Sequence, residues 1–237
     1  MARRSEQHIS GAVGNVIFYK LNGQDLIRSK PGKMKRKRST PVARLNTAFG
    51  SISTYGSRML KQVSTCFLFA FTLDVYNRVR GWMHIQFGAQ RDTGSWQLAQ
   101  QTSMCPLNKE ADLRDLLMTE ITINDIGEGK ININIAAMNP KQSLRAPQRT
   151  SNVNMKFIAV TSAFKEDGLQ NSFCMEQYKF AYRDTSLPEK TLLLDTKAAG
   201  NIAIVVIALE YETASGIYNT EKRWLPAAVV AMGRMKG

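Results

Sequence analysis

The sequence predicts an α+β protein: an N-terminal β-hairpin arm and a helical segment, followed by an antiparallel immunoglobulin-like β-sandwich. Three observations carry this expectation. Two β-rich runs flank an Asn-Gly near the start, apolar residues then recur at helical spacing, and from residue 118 onward strand-like runs are separated by turn residues. The expected boundaries are 1–38 for a basic arm with the hairpin, 39–117 for a mainly helical segment and 118–237 for the sandwich.

Residues 1–10 are polar and read as an extended tail. Asn15–Lys20 and Asp25–Ser29 then flank Leu21-Asn22-Gly23-Gln24. A tight type I′ turn needs positive φ at both central residues, which Asn-Gly supplies. A two-stranded hairpin is marginal alone in water, so this one is expected to lie on the body or on a neighbouring subunit. Val16, Phe18, Tyr19, Leu26, Ile27 and Arg28 are its candidate docking residues. Phe18 and Tyr19 fall on opposite strand faces. Gly11 and Gly14 suggest a bend.

Thr40-Pro41 opens a helix, as N-cap and first helical residue. Val42, Leu45, Phe49, Ile52, Tyr55, Met59 and Val63 share one face of it. Gly50 and Gly56 weaken it, by about 1 kcal/mol each relative to Ala, and suggest tight packing or a kink. The most apolar stretch, 63–76, is too short for the roughly 20 residues of a membrane span and reads as buried helix. Residues 81–106 show little regularity. Asn108–Leu117 reads as a short helix capped by Asn108, with Leu113, Leu116 and Leu117 inward.

Thr119–Asn124 and Lys130–Ile135 alternate around an Asp125–Gly129 turn. Val153–Ala163, Phe173–Tyr182, Thr191–Asp195, Ile202–Glu212 and Ala227–Met232 follow as strands. Ile202–Leu209 is apolar throughout, which predicts a central strand covered on both faces.

The charge is unevenly placed. Met1–Leu60 holds twelve lysines and arginines against Glu6 and Asp25, so +10 of the chain's +13 lies there. The densest run is Lys30–Arg38. Unpaired charges cannot leave water cheaply, so this run stays solvated or meets something negative. Lys30, Lys33, Lys35, Arg36, Lys37, Arg38 and Arg44 are therefore the candidate contacts to DNA or RNA, or to an acidic protein partner. Phosphate binding by such a run is salt-dependent and sequence-independent.

Sites for catalysis are sparse in the sequence. His8 lies in the tail and His84 near Trp82, without the partners that a triad or a metal site needs. Glu110, Asp112 and Asp115 read as a solvated helix face, and Glu210 and Glu212 as facing solvent or a neighbour's basic residues. Cys66, Cys105 and Cys174 are unpaired in pattern and read as small buried residues of a reducing compartment. Met34, Met232 and Met235 read as core filling or as an adaptable interface. Nucleotide-binding, zinc-protease and serine-hydrolase motifs are missing. No cofactor or small-molecule substrate is expected. The start lacks the pattern of a secretory leader, which leads to the expectation of a cytoplasmic protein, with later release or incorporation into a particle.

The stretch Gly11–Pro31, with Gly11-Ala-Val-Gly14-Asn15, Tyr19, Asn22-Gly23 and Arg28-Ser29-Lys30-Pro31, precedes Arg44…Phe49-Gly50. It resembles the opening of a family of uncharacterised Bacteroidetes proteins, in which a like stretch precedes a short helix and a β-rich C-terminal half. The resemblance covers about the first fifty residues and implies no activity. It implies that hairpin and basic connector form one unit.

These observations lead to the expectation of a non-enzymatic, self-assembling structural protein, a homo-oligomer whose arm ties subunits together beside nucleic acid. The alternative is a sequence-independent nucleic-acid-binding protein, nucleoid- or ribosome-associated, acting as monomer or dimer.

Overall fold

Ile202–Leu209 can be buried throughout only if both faces of its strand are covered. The structure, a computed structural model, supplies that cover. It describes residues 3–5, 8–21, 24–30, 40–92, 97–162, 172–197, 199 and 201–236. The chain divides into two units, Met1–Leu45 and Asn46–Gly237. This differs from the three expected segments, because helices and sheets bury their apolar residues together in the second unit.

The first unit is an antiparallel four-stranded meander, in the order β1 (Arg3–Ser5), β2 (His8–Val13), β3 (Val16–Leu21), β4 (Gln24–Ser29). The expected hairpin is β3–β4, with Phe18 opposite Ile27 and Tyr19 opposite Leu26. Its Asn22-Gly23 tip lies outside the described residues. Gly14, at φ +58°, allows the turn from β2 into β3, where Val13 pairs with Val16. The expected polar tail is largely strand instead. Arg3–Ser5 pairs with His8–Ser10, and this pairing, not side-chain pattern, makes it so.

Helix α1 (Thr40–Ser64) begins at the expected Thr40-Pro41 and runs into the second unit. There follow α2 (Leu73–Asp92), β5 (Ala99–Pro106), α3 (Leu113–Leu116), β6 (Ile121–Gly127), β7 (Lys130–Ile135), α4 (Pro140–Ser143), β8 (Thr150–Ser162), β9 (Ser172–Ala181), β10 (Lys190–Asp195), β11 (Ile202–Thr213) and β12 (Ala227–Arg234). The strands form two antiparallel sheets, ordered β5-β12-β11-β8-β9 and β10-β7-β6. The architecture is α+β and mostly antiparallel sheet, and all seven strands expected after residue 118 are present.

Alternation along β8 and β11 sorts their residues to two cores. Val153, Met155, Phe157, Val205, Ile207, Leu209 and Tyr211 bury with Ile123 of β6, Ile131, Ile133 and Ile135 of β7 and Leu194 of β10. Ile158, Val160, Ile204, Val206 and Ala208 bury with Ile52, Met59, Leu60 and Val63 of α1 and Val79, Trp82 and Met83 of α2. The five-stranded sheet thus has helices on one face and the three-stranded sheet on the other. Each fully buried Val, Leu or Ile favours folding by about 1.5–3 kcal/mol. Met232 and Met235 are core residues here, whereas Met34 lies outside the described residues.

Close approaches fix the layers. A Cβ at Gly56 of α1 would lie 2.9 Å from Met83 Sδ of α2, so the two helices approach closely there, whereas one at Gly50 would meet nothing within 4 Å. A Cβ at Gly233 of β12 would lie 2.3 Å from the Gln97 carbonyl oxygen, at the entry to β5. The Trp82 indole donates to the Ser103 carbonyl at 2.8 Å, tying α2 to β5. The Tyr211 hydroxyl donates to the Arg145 carbonyl at 2.8 Å. Among the described residues, no helix is long and apolar enough to cross a membrane.

Three local expectations are corrected. The 63–76 stretch is not one continuous helix: the Ser64 and Thr65 hydroxyls donate to the Lys61 and Gln62 carbonyls and close α1, and α2 starts only at Leu73. Phe67, Phe69 and Phe71 then pack ring to ring, with centroids 5.3–5.6 Å apart, over the helix-side core. The irregular 81–106 stretch holds the rest of α2 and strand β5, which pairs with β12. The helix expected over 108–117 is the single turn α3, capped by Asp112, whose carboxylate accepts from the Arg114 amide at 2.9 Å. Asn108 instead donates to the Lys222 and Leu225 carbonyls.

Candidate functional site

Strands of the N-terminal meander can bury side chains only against a second layer, and the unit shows none among its described residues. From Gly11 to Lys30 no described residue is buried. Alternation and register put Val13, Val16, Phe18 and Ile27 on one face, and Ala12, Ile17, Tyr19, Leu21, Leu26 and Arg28 on the other. Ile27 is 66% exposed, Val13 55% and Leu21 46%. The Arg28 guanidinium stacks over the Tyr19 ring, 5.5 Å from its centroid, which rigidifies that second face. The Lys30 amide donates to the Asn15 carbonyl at 2.6 Å and extends the β3–β4 ladder toward the basic run. Lys33, Lys35, Arg36, Lys37 and Arg38 lie outside the described residues. Arg44 is in α1, its side chain also outside them. The structure therefore gathers the candidate docking residues on one thin sheet and has Lys30 exposed at its end.

The second unit carries a polar patch that sequence reasoning misplaced. Glu210 and Glu212 do not face solvent; they are buried, on the helix-side face of β11 beyond its apolar half. Lys156 of β8 pairs with Glu210 at 2.5 Å and also donates to the Cys66 carbonyl at 3.1 Å. Lys179 of β9 pairs with Glu212. Asn154 donates to both Glu210 and Gln177, and Asn152 to Glu212. The cause is register: Glu210 lies opposite Asn154, Glu212 opposite Asn152, and β9 brings Gln177 and Lys179 alongside. The Asn-Val-Asn-Met-Lys alternation of residues 152–156 is the sequence signal for this ladder.

Other titratable groups are scattered. His84 Nε2 lies 3.2 Å from Ser53 Oγ across the α1–α2 contact, and partial burial holds its pKa below the usual imidazole range. Asp112 lies below the usual carboxylate range because the Arg114 side chain hydrogen-bonds it, with burial opposing. All three cysteines are free thiols. Cys105 is buried, which pushes its thiol up to about 11, whereas Cys66 and Cys174 are half-buried. Among the described residues no three His, Cys, Asp or Glu side chains converge as metal ligands.

No protein-family model, curated protein or solved structure matches this chain.

Proposed function

We propose that this chain is a non-enzymatic, self-assembling structural protein whose N-terminal arm docks on a second copy. One observation carries the reading: the arm is a single-layer sheet with apolar side chains exposed on both faces. A sheet of this kind gains stability only when something covers it. Its outer strand β4 also presents an unpaired edge among the described strands, suited to strand addition. In the second unit, the buried carboxylates are committed to the fold, Glu210 to Lys156, Glu212 to Lys179 and Asp125 to the Gly127 and Lys236 amides, which favours scaffold over catalyst. We read the two packed sheets as an immunoglobulin-like sandwich with added helices, the opening as that of the Bacteroidetes family it resembles, and the protein as cytoplasmic when made.

The concentration of +10 in the first sixty residues supports nucleic acid as a companion of the assembly. It also supports the second reading, a small species that binds DNA or RNA through Lys30–Arg38. Light scattering after size exclusion, at low and high salt, separates the two. Particles that survive salt and nuclease, and that revert to monomers when Met1–Lys30 is deleted, support arm-driven assembly. Unchanged assembly after the deletion would overturn it. A discrete species that binds nucleic acid with a steep salt slope, lost when Lys35, Arg36, Lys37 and Arg38 become Ser, would establish the second.

A further inference from the structure

A strand with an open edge gains most by pairing with another open edge. Among the described strands, β4 is an outer strand of the arm and β9 an outer strand of the five-stranded sheet. Hydrogen bonding fixes which residues of each direct their backbone groups outward. The Lys30 amide donates to the Asn15 carbonyl, in line with the β3–β4 register. Alternation along the ladder then leaves Asp25, Ile27 and Ser29 with N–H and C=O groups directed away from β3. In the same way the Tyr182 amide donates to the Ser151 carbonyl, in line with the β8–β9 register. That leaves Met175, Gln177 and Lys179 directed away from β8.

We propose that β4 adds antiparallel to β9 of a second copy, a seat for the arm that rests on the arm-driven assembly proposed above. Charge selects the register. Asp25 precedes Arg28 by three residues, and Glu176 precedes Lys179 by three. Antiparallel pairing reverses one strand, so Asp25 opposite Lys179 puts Arg28 opposite Glu176. A parallel pairing matches only one of the two charges at a time. The same antiparallel register sets Ile27 against Gln177 and Ser29 against Met175, outward groups against outward groups, and Leu26 against the Tyr178 ring. Ile27, 66% exposed in the single chain, then lies diagonal to Met175 on the helix side of the sheet. Lys179 already pairs with Glu212 of its own chain, but its side chain is half exposed and an ammonium has three donors to share. Exposed ion pairs contribute little affinity; they set the register, and the backbone ladder holds the strand. The other outer strands lack this match. β5 carries no charge and β1 only cations; Asp125 of β6 is committed to the Gly127 and Lys236 amides; Lys190 and Asp195 of β10 are too far apart to meet Asp25 and Arg28 together.

The test is a charge exchange read by light scattering of the full-length protein. Arg28→Glu sets two carboxylates opposite each other, and Glu176→Arg two cations. Each is expected to weaken assembly about tenfold, and the chain carrying both is expected to recover most of it. A second measurement does not depend on these charges. A Leu26→Cys chain is mixed with a Tyr178→Cys chain, each also carrying Cys66→Ser and Cys174→Ser, and oxidised. A disulfide between the two chains is expected, because opposite residues that exchange no backbone hydrogen bond have Cα atoms about 4.5 Å apart. Particles that are lost when Met1–Lys30 is deleted, yet show neither charge rescue nor this disulfide, would overturn β9 as the seat and leave arm-driven assembly standing. Particles indifferent to the deletion would overturn both. A chain bearing both cysteines that links only within itself would place the arm on its own body and also overturn the proposal.

Discussion

Strands β3 and β11 are made of similar residues and have opposite fates. Val16-Ile17-Phe18-Tyr19 in β3 is as apolar and β-branched as much of Ile202–Leu209 in β11, yet none of the four is buried. In β11 Ile204, Val205 and Val206 are each 0% exposed. The difference is cover: β11 has helices on one face and a second sheet on the other, whereas the arm's described residues form one layer. Apolar sequence supplies the means for a core, and only a second layer makes one. On the reading proposed above, that missing layer is a second copy.

The contrast can be broken or sharpened by substitution. The largest effect is expected at the polar end of the covered sheet. Lys156→Ala leaves the Glu210 carboxylate buried and unpaired, and is expected to cost about 3–5 kcal/mol in urea unfolding. Replacing Lys156 and Glu210 together by Met and Leu is expected to restore most of that stability. A double variant as unstable as the single would mean that the ladder depends on more than this pair.

Next comes the apolar contrast. Ile204→Ala in β11 is expected to cost about 2–5 kcal/mol, whereas Ile27→Ala in β4 changes the unfolding of the isolated chain by less than about 0.5 kcal/mol. Under assembling conditions Ile27→Ala is expected to weaken assembly instead. Equal costs at the two positions would show that the arm is covered within its own chain.

Two smaller effects read burial through pH. Cys105 has a folded pKa of about 11 against an ordinary value of 9.0, because burial disfavours the thiolate. Its contribution to stability is therefore complete below about pH 9 and is lost as pH rises through 11. Alkylation at pH 8 is expected to reach Cys66 and Cys174 well before Cys105; uniform labelling would contradict the layer packing around β5. His84 has the opposite sign. Burial depresses its pKa below 6.5, so its contribution is present above 6.5 and falls away as the solution is acidified through the folded pKa. His84→Gln is expected to flatten the thermal-melting difference between pH 7.5 and 5 slightly.

Much of the second unit was legible because its patterns are local. Lys130–Ile135 alternates strictly and is strand β7 over those same residues, and the doubly apolar Ile202–Leu209 is indeed central. Strand β5 was not legible. Ala99–Pro106 has no alternation, and its extended state is imposed by β12. Arg3–Ser5 escaped for the same reason, as a polar run made into strand by pairing. The arm's strands β3 and β4 could be read from the two β-rich runs around Asn22-Gly23. Glu210 and Glu212 misled because alternation gives a side chain's face, and only register reveals what covers it.

The position of β12 sets an order of events during synthesis. In the five-stranded sheet β12 sits between β5 and β11, so Pro106 finds its neighbour Ala228 only after all the intervening strands have been made. The arm, made of short-range hairpins, can form while the sheet is still incomplete. On the assembly reading proposed above, each nascent chain would display its arm well before its own sheet can close.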